Sequence, residues 1–176
     1  MKPAQPSTVY LPELWSLVEA QFPLEPGSIH GPLHWRRVER IGLRLAASCG
    51  ADTDVVRLFA LFHDSRRENE HTDPDHGLRG AVLAGAYRGE HFELDDERFE
   101  ILRYACTHHT DGLRSDDPTI GTCWDADRLE LARLGIDPCD EYLSTREAKL
   151  AEVKEWASKL ARGKPHERRP RRGRRR

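Results

Sequence analysis

Seven side chains of cation-binding type stand out in this sequence by where they fall: His34, His63, Asp64, His76, His108, His109 and Asp127. Single pairs among them mean little. Nine histidines and fourteen aspartates in 176 residues give by chance about 0.7 His-Asp dipeptides, so His63-Asp64 alone is uninformative. Position changes the odds. His34 stands at helical spacing with Val38, Ile41 and Leu45, and His63 with Val56, Phe59 and Ala60. His76 leads a face with Gly80, Leu83 and Tyr87, His108 extends the Ile101–Tyr104 face, His109 the Leu102–Cys106 face, and Asp127 precedes Leu131 and Leu134. These are polar groups where apolar ones should sit. A buried, unpartnered carboxylate costs several kcal/mol, which a divalent cation relieves by taking neutral imidazole and ionised carboxylate together. Mixed His/Asp ligands without thiolate suit Mn, Fe, Ni, Co or Zn, with Mg also compatible, better than a structural cysteine-type zinc site.

The elements that must carry these residues are helices. Apolar periodicity and capping signals predict helices over about residues 11–22, from Gly31-Pro32 to Cys49, from an Asp52-Thr53-Asp54 cap through FHD, over HGLRGAVLAGAYRG, from Asp95-Asp96-Glu97 to His109, near CWDADRLELARLG, and over TREAKLAEVKEWASKLARG. In the last, Ser144 stands three residues before Glu147, a capping-box spacing. The Gly/Ala-rich fourth segment would let its backbone approach a neighbour closely. Nothing alternates with period two for long enough to be a strand, so the expectation is all-α: a compact single-domain bundle of about six or seven helices.

Length and composition agree. The chain is 38% hydrophobic and 33% charged, with a mean hydropathy of −0.73, and no apolar run approaches the roughly 18 residues of a membrane span. The four cysteines (Cys49, Cys106, Cys123, Cys139) have no paired spacing. With no visible secretory signal, this points to reduced thiols and a cytoplasmic location. Charge is uneven. Residues 162–176 hold nine Lys/Arg and one acid, which leaves 19 basic and 29 acidic side chains in residues 1–161, a net of −10. The division expected is a domain over 1–161 and a disordered Arg-rich tail over 162–176. The tail could touch nucleic acid non-specifically, having no aromatic residue to stack on bases, or fold back on the acidic domain.

The order His34, His63-Asp64, Asp127 resembles the HD superfamily of metal-dependent phosphohydrolases, named for that doublet. HWRRVERIG resembles its first histidine helix, LFALFHDSRR its doublet helix and WDADRLELAR its final aspartate helix, with Asp127 rather than Asp125 at the ligand position. The resemblance spans about residues 28–135. FHDSRRENEHTDPDHG and THHTDGLRSDDPTIGTCWDADRL look like a group of small bacterial HD proteins. It implies one metal held by His34, His63, Asp64 and Asp127, and a second site from His76, His108 and His109 with Asp64 bridging. His76 follows His63 by only thirteen residues, closer than in many dinuclear relatives. The absence of a Gly-Tyr-Pro signature argues against cyclic dinucleotides.

The implied chemistry is hydrolysis of a phosphate mono- or diester, a nucleotide or related small molecule, by metal-activated water. Asp64 would orient that water or bridge the ions, and Glu68 is a candidate base. Arg37, Arg66 and Arg67 are the nearest candidates for the substrate phosphate. An HD-fold di-iron oxygenase and a non-catalytic metal-binding regulatory domain use the same ligands and stay open. So does the oligomeric state. His30, His71, His91 and His166 lie in polar or loop contexts and read as surface residues.

Overall fold

A computed structural model describes residues 12–25 and 27–163. The Arg-rich segment from 164 onward lies outside the described residues. The described residues form seven α-helices: α1 Pro12–Glu19, α2 Pro32–Cys49, α3 Thr53–Phe62, α4 His76–Tyr87, α5 Asp96–His108, α6 Pro118–Glu130 and α7 Ala151–Arg162. No strand occurs among the described residues; Arg88 and Phe92 form one isolated bridge. Among the described residues no helix is long and apolar enough to cross a membrane.

The central element is α3. Asp52 caps it, accepting from the backbone N–H groups of Asp54 and Val55, and Val55, Val56, Leu58, Phe59, Ala60, Leu61 and Phe62 are all buried. A helix apolar nearly all round needs neighbours on every side; α2, α4, α5 and α6 supply them. The glycines of α4 explain one of these contacts. A Cβ on Gly80 would overlap the carbonyl oxygen of Phe62, and one on Gly77 that of Cys106. This close approach seats His76, at the start of α4, beside the ends of α3 and α5. Gly80→Ala is therefore expected to destabilise the fold by about 1–3 kcal/mol, the usual range for overpacking, readable as a lower urea midpoint with unchanged m-value.

Two element boundaries differ from the sequence expectation. α6 starts at Pro118, five residues before Cys123, because Asp117 accepts from the N–H groups of Thr119 and Ile120. It continues as a 3-10 turn over Leu131–Leu134. The capping box at Ser144 does not form. Thr145 Oγ1 accepts from Ala148 N, which closes a short 3-10 turn over Glu147–Lys149 before α7 begins at Ala151. Ser144 serves another loop, its Oγ accepting from Ser115 N.

Candidate metal centre

Five segments deliver their polar residues to one place. His34 is in the first turn of α2, His63 at the C-terminal cap of α3 with Asp64 next to it, His76 first in α4, His109 at the cap of α5, and Asp127 in the last turn of α6. His34, His63, Asp64, His76 and His109 are buried, whereas the Asp127 side chain keeps 19% exposure at the open edge.

Each of the four imidazoles has its Nδ1 turned to an acceptor. His34 Nδ1 donates to Glu130 Oε2 at 2.9 Å. His63 Nδ1 faces the carbonyls of Phe59 and Ala60, both at 3.1 Å. His76 Nδ1 donates to the Asp73 carbonyl, and His109 Nδ1 to that of Cys106 at 2.7 Å. A proton on Nδ1 leaves Nε2 as a lone pair, and all four Nε2 atoms converge. His34 Nε2 lies 3.1 Å from His63 Nε2, 3.3 Å from Asp127 Oδ1 and 3.4 Å from Asp64 Oδ2. His76 Nε2 lies 2.9 Å from His109 Nε2 and 3.1 Å from Asp64 Oδ1. Asp64 Oδ1 is buried with no hydrogen bond.

Lone pairs packed against lone pairs repel unless a cation sits among them. The spacing fits one. Donors about 2.0–2.2 Å from an ion stand about 2.8–3.1 Å apart at right angles and about 3.3–3.6 Å apart at the tetrahedral angle. His34, His63 and Asp127 thus form one group able to hold a metal ion, and Asp64, His76 and His109 a second. The two oxygens of Asp64 belong one to each, since Oδ2 also lies 3.7 Å from His63 Nε2.

Without metal, protons carry part of this load. Burial opposes charge on His34, but Asp127, Asp64 and Glu130 outweigh it and hold its imidazole well above the ordinary histidine range. Burial likewise opposes ionisation of Asp64 and Asp127. The histidines around them prevail and hold both carboxyls well below the usual range. The signs are opposite. The raised group stabilises the metal-free fold below the unfolded histidine pKa and loses that effect as pH rises through its folded value. The depressed carboxyls stabilise it above the unfolded carboxylate pKa and lose that as pH falls through theirs. A metal needs His34 Nε2 bare, so uptake near neutral pH is expected to release a proton and to tighten as pH rises. Calorimetric titration of metal in buffers of differing ionisation enthalpy reads that proton directly.

The remaining residues sort clearly. His108 does not join the cluster. One helical residue turns the side chain by about 100°, so adjacent histidines cannot share a face. Tyr104, on the same side as His108, is half-exposed, and His108 packs against that ring at a tilt of 47° and lies 3.7 Å from Asp111. Truncating His109 to alanine is thus expected to remove one of two bound ions, while His108→Ala leaves metal content unchanged, as counted by elemental analysis. Glu68 points to solvent, 3.7 Å from Arg79. Arg66 donates to the Gln21 carbonyl, and Arg37 to Glu130 and to the Gly163 carbonyl. Of the three candidate arginines, only Arg67 meets the cluster. It is buried, its Nη1 3.3 Å from His76 Nε2 and 3.6 Å from Asp64 Oδ1. Asp125 faces elsewhere and accepts from Ser144 N, Thr145 N and Thr145 Oγ1.

Two participants escaped the sequence reading. His30 is not a surface residue: its Nδ1 donates to Asp64 Oδ2 at 3.0 Å, with the turn fixed by Trp35 Nε1 donating to the His30 carbonyl at 2.7 Å. Glu130 is fully buried and accepts from His34, Arg37 and Arg133. A carboxylate behind a ligand imidazole fixes its tautomer and raises its basicity. No protein-family profile, no curated protein and no solved structure matches the chain, so the geometry alone bears on function.

Proposed function

We propose that this chain is a metal-dependent phosphohydrolase of the HD type, acting on a phosphate mono- or diester such as a nucleotide or a related small molecule. One observation carries the reading: the carboxylate of Asp64 sets Oδ2 beside His34 and His63 and Oδ1 beside His76 and His109, and the buried Oδ1 makes no hydrogen bond. Divalent ions in such a donor set acidify water and polarise phosphoryl oxygens.

The chain's own residues then have definite tasks. Asp64 fixes the separation of the two groups through its two oxygens. His30 donates to Oδ2 and holds that carboxylate in plane. Arg67 brings a guanidinium to the rim of the second group, where it suits phosphate oxygens. The exposed edge at Asp127 and His30, 19% and 17%, is where a substrate enters.

The test is elemental analysis of protein purified without chelator, followed by phosphate release from a panel of nucleotides and phosphoesters with Mn, Fe, Ni, Co, Zn or Mg. Release that depends on metal supports the proposal. Metal-loaded protein that releases nothing overturns it, and bound iron with oxygen-consuming turnover would redirect it to di-iron oxygenation.

A further inference from the structure

We propose that a second pocket, built on Arg37, Arg133 and Arg162, binds a small organic phosphate and communicates with the metal centre through Glu130. The coupling rests on the metal reading above; the anion site does not.

The cavity has a volume of about 360 Å³ and is bordered by His34, the three arginines and the apolar Ile29, Leu33 and Leu134. That size falls in the range of small-molecule sites. It is built around the partners of His34 Nδ1, whereas the metal-facing atom is Nε2. Its charge runs against the acidic balance of residues 1–161. Arg37 and Arg133 both bond the single carboxylate of Glu130, which His34 also uses, so two guanidinia share one negative charge. Arg162 donates Nε–H to the Ala132 carbonyl and meets Asp137 at 3.6 Å, an aspartate 82% exposed and so a weak counter-charge. A positive concavity on a domain of net −10 concentrates anions locally. Guanidinium forks match phosphate oxygens, and the half-exposed Ile29, Leu33 and Leu134 offer an apolar wall to an organic body.

The route to the metal is short. A phosphate that draws on Arg37 and Arg133 leaves Glu130 less neutralised. Its pull on the His34 Nδ1 proton strengthens, and the imidazole becomes a better ligand at Nε2. Phosphate bound in the pocket therefore tightens metal binding, and metal tightens phosphate by the same factor.

The experiment is a titration of metal-free protein with phenyl phosphate and with inorganic phosphate, followed by the arginine Nε–H signals in ¹H–¹⁵N spectra. The Nε–H groups of Arg133 and Arg162 are held by the Ile29 and Ala132 carbonyls. The expected result is saturable shifts at Arg37, Arg133 and Arg162, with phenyl phosphate severalfold tighter. Arg162→Glu should weaken it at least about tenfold, since like charges across a binding site cost several kcal/mol. Shifts that never saturate, that spread equally to exposed arginines such as Arg103, or that survive Arg162→Glu would overturn the site. Metal titration with and without phenyl phosphate then reads the coupling. An enhancement lost in Arg162→Glu supports it, and one equal in both proteins reflects phosphate on the metal itself and overturns the coupling. Failure of either protein to take up metal would sink the metal reading and leave the anion site decided by the first titration.

Discussion

Asp64→Asn is expected to strip metal from both groups and to destabilise the metal-free fold at neutral pH. The change replaces one oxygen of the carboxylate that serves both clusters by an amide nitrogen and removes one negative charge. Losing a partner behind a ligand typically weakens metal binding by about 10–100-fold. Loss of a ligand common to two ions should exceed the upper end of that range at each, and metal-dependent turnover should fall at least as far. Metal-free stability falls too. In the parent, the surrounding histidines hold the Asp64 carboxyl well below the usual range, so its charge stabilises the fold above the unfolded carboxylate pKa. An asparagine keeps an oxygen for the His30 Nδ1–H but loses that charge, and a hydrogen bond from its amide to His76 Nε2, 3.1 Å from Oδ1 in the parent, returns only about 0.5–1.5 kcal/mol. Two melting curves check this. With metal at a thousandfold excess over Kd, the parent should gain about 4 kcal/mol per ion and Asp64→Asn almost nothing. With chelator, the variant should melt below the parent at neutral pH, and the gap should close as pH falls through the folded Asp64 pKa. A variant that melts no lower than the chelated parent would mean that the imidazoles around Asp64 do not balance its charge when metal is absent.

The placement of ionisable groups on apolar faces is also why much of the site could be read from sequence. His34 stands in a stripe with Val38, Ile41 and Leu45, and His63 in one with Phe59 and Ala60, all of them buried. A polar group on a face with nothing polar to satisfy it advertises a partner from elsewhere in the chain. The same logic misassigned His108 because Ile101 and Tyr104 suggested an inward face, whereas the buried face of α5 runs through Leu102, Ala105 and Cys106 to His109. His30 left no periodic trace. It precedes the Gly31-Pro32 entry to α2, in a turn whose direction is set by the indole of Trp35. Glu130 did leave one, unexploited: it sits between Leu129 and Leu131, three residues after Asp127, and so shares the inward side of α6. The capping box at Ser144 failed for a comparable reason. Asp125, on a different helix, takes the N–H groups of Ser144 and Thr145, and no pattern local to residues 144–147 encodes that competitor.

Glu130 is where stability and metal affinity can be separated. Its carboxylate is fully buried and accepts from His34 Nδ1, Arg37 and Arg133. Glu130→Ala leaves two guanidinia and an imidazole facing a cavity. Removing one partner of a buried charged cluster costs roughly 3–5 kcal/mol, a Tm loss of roughly 6–20 °C for a chain of this length. Glu130→Gln keeps the volume and an oxygen for the His34 proton but loses the charge that makes that imidazole a strong ligand. Metal affinity at the His34, His63 and Asp127 group should then drop about 10–100-fold. The group of Asp64, His76 and His109 should change much less, because its imidazoles donate Nδ1–H to the carbonyls of Asp73 and Cys106, not to Glu130. Calorimetric metal titration resolves the two classes of site. Equal weakening of both would place Glu130 in a general structural role; weakening confined to one ion identifies it as the carboxylate that tunes His34.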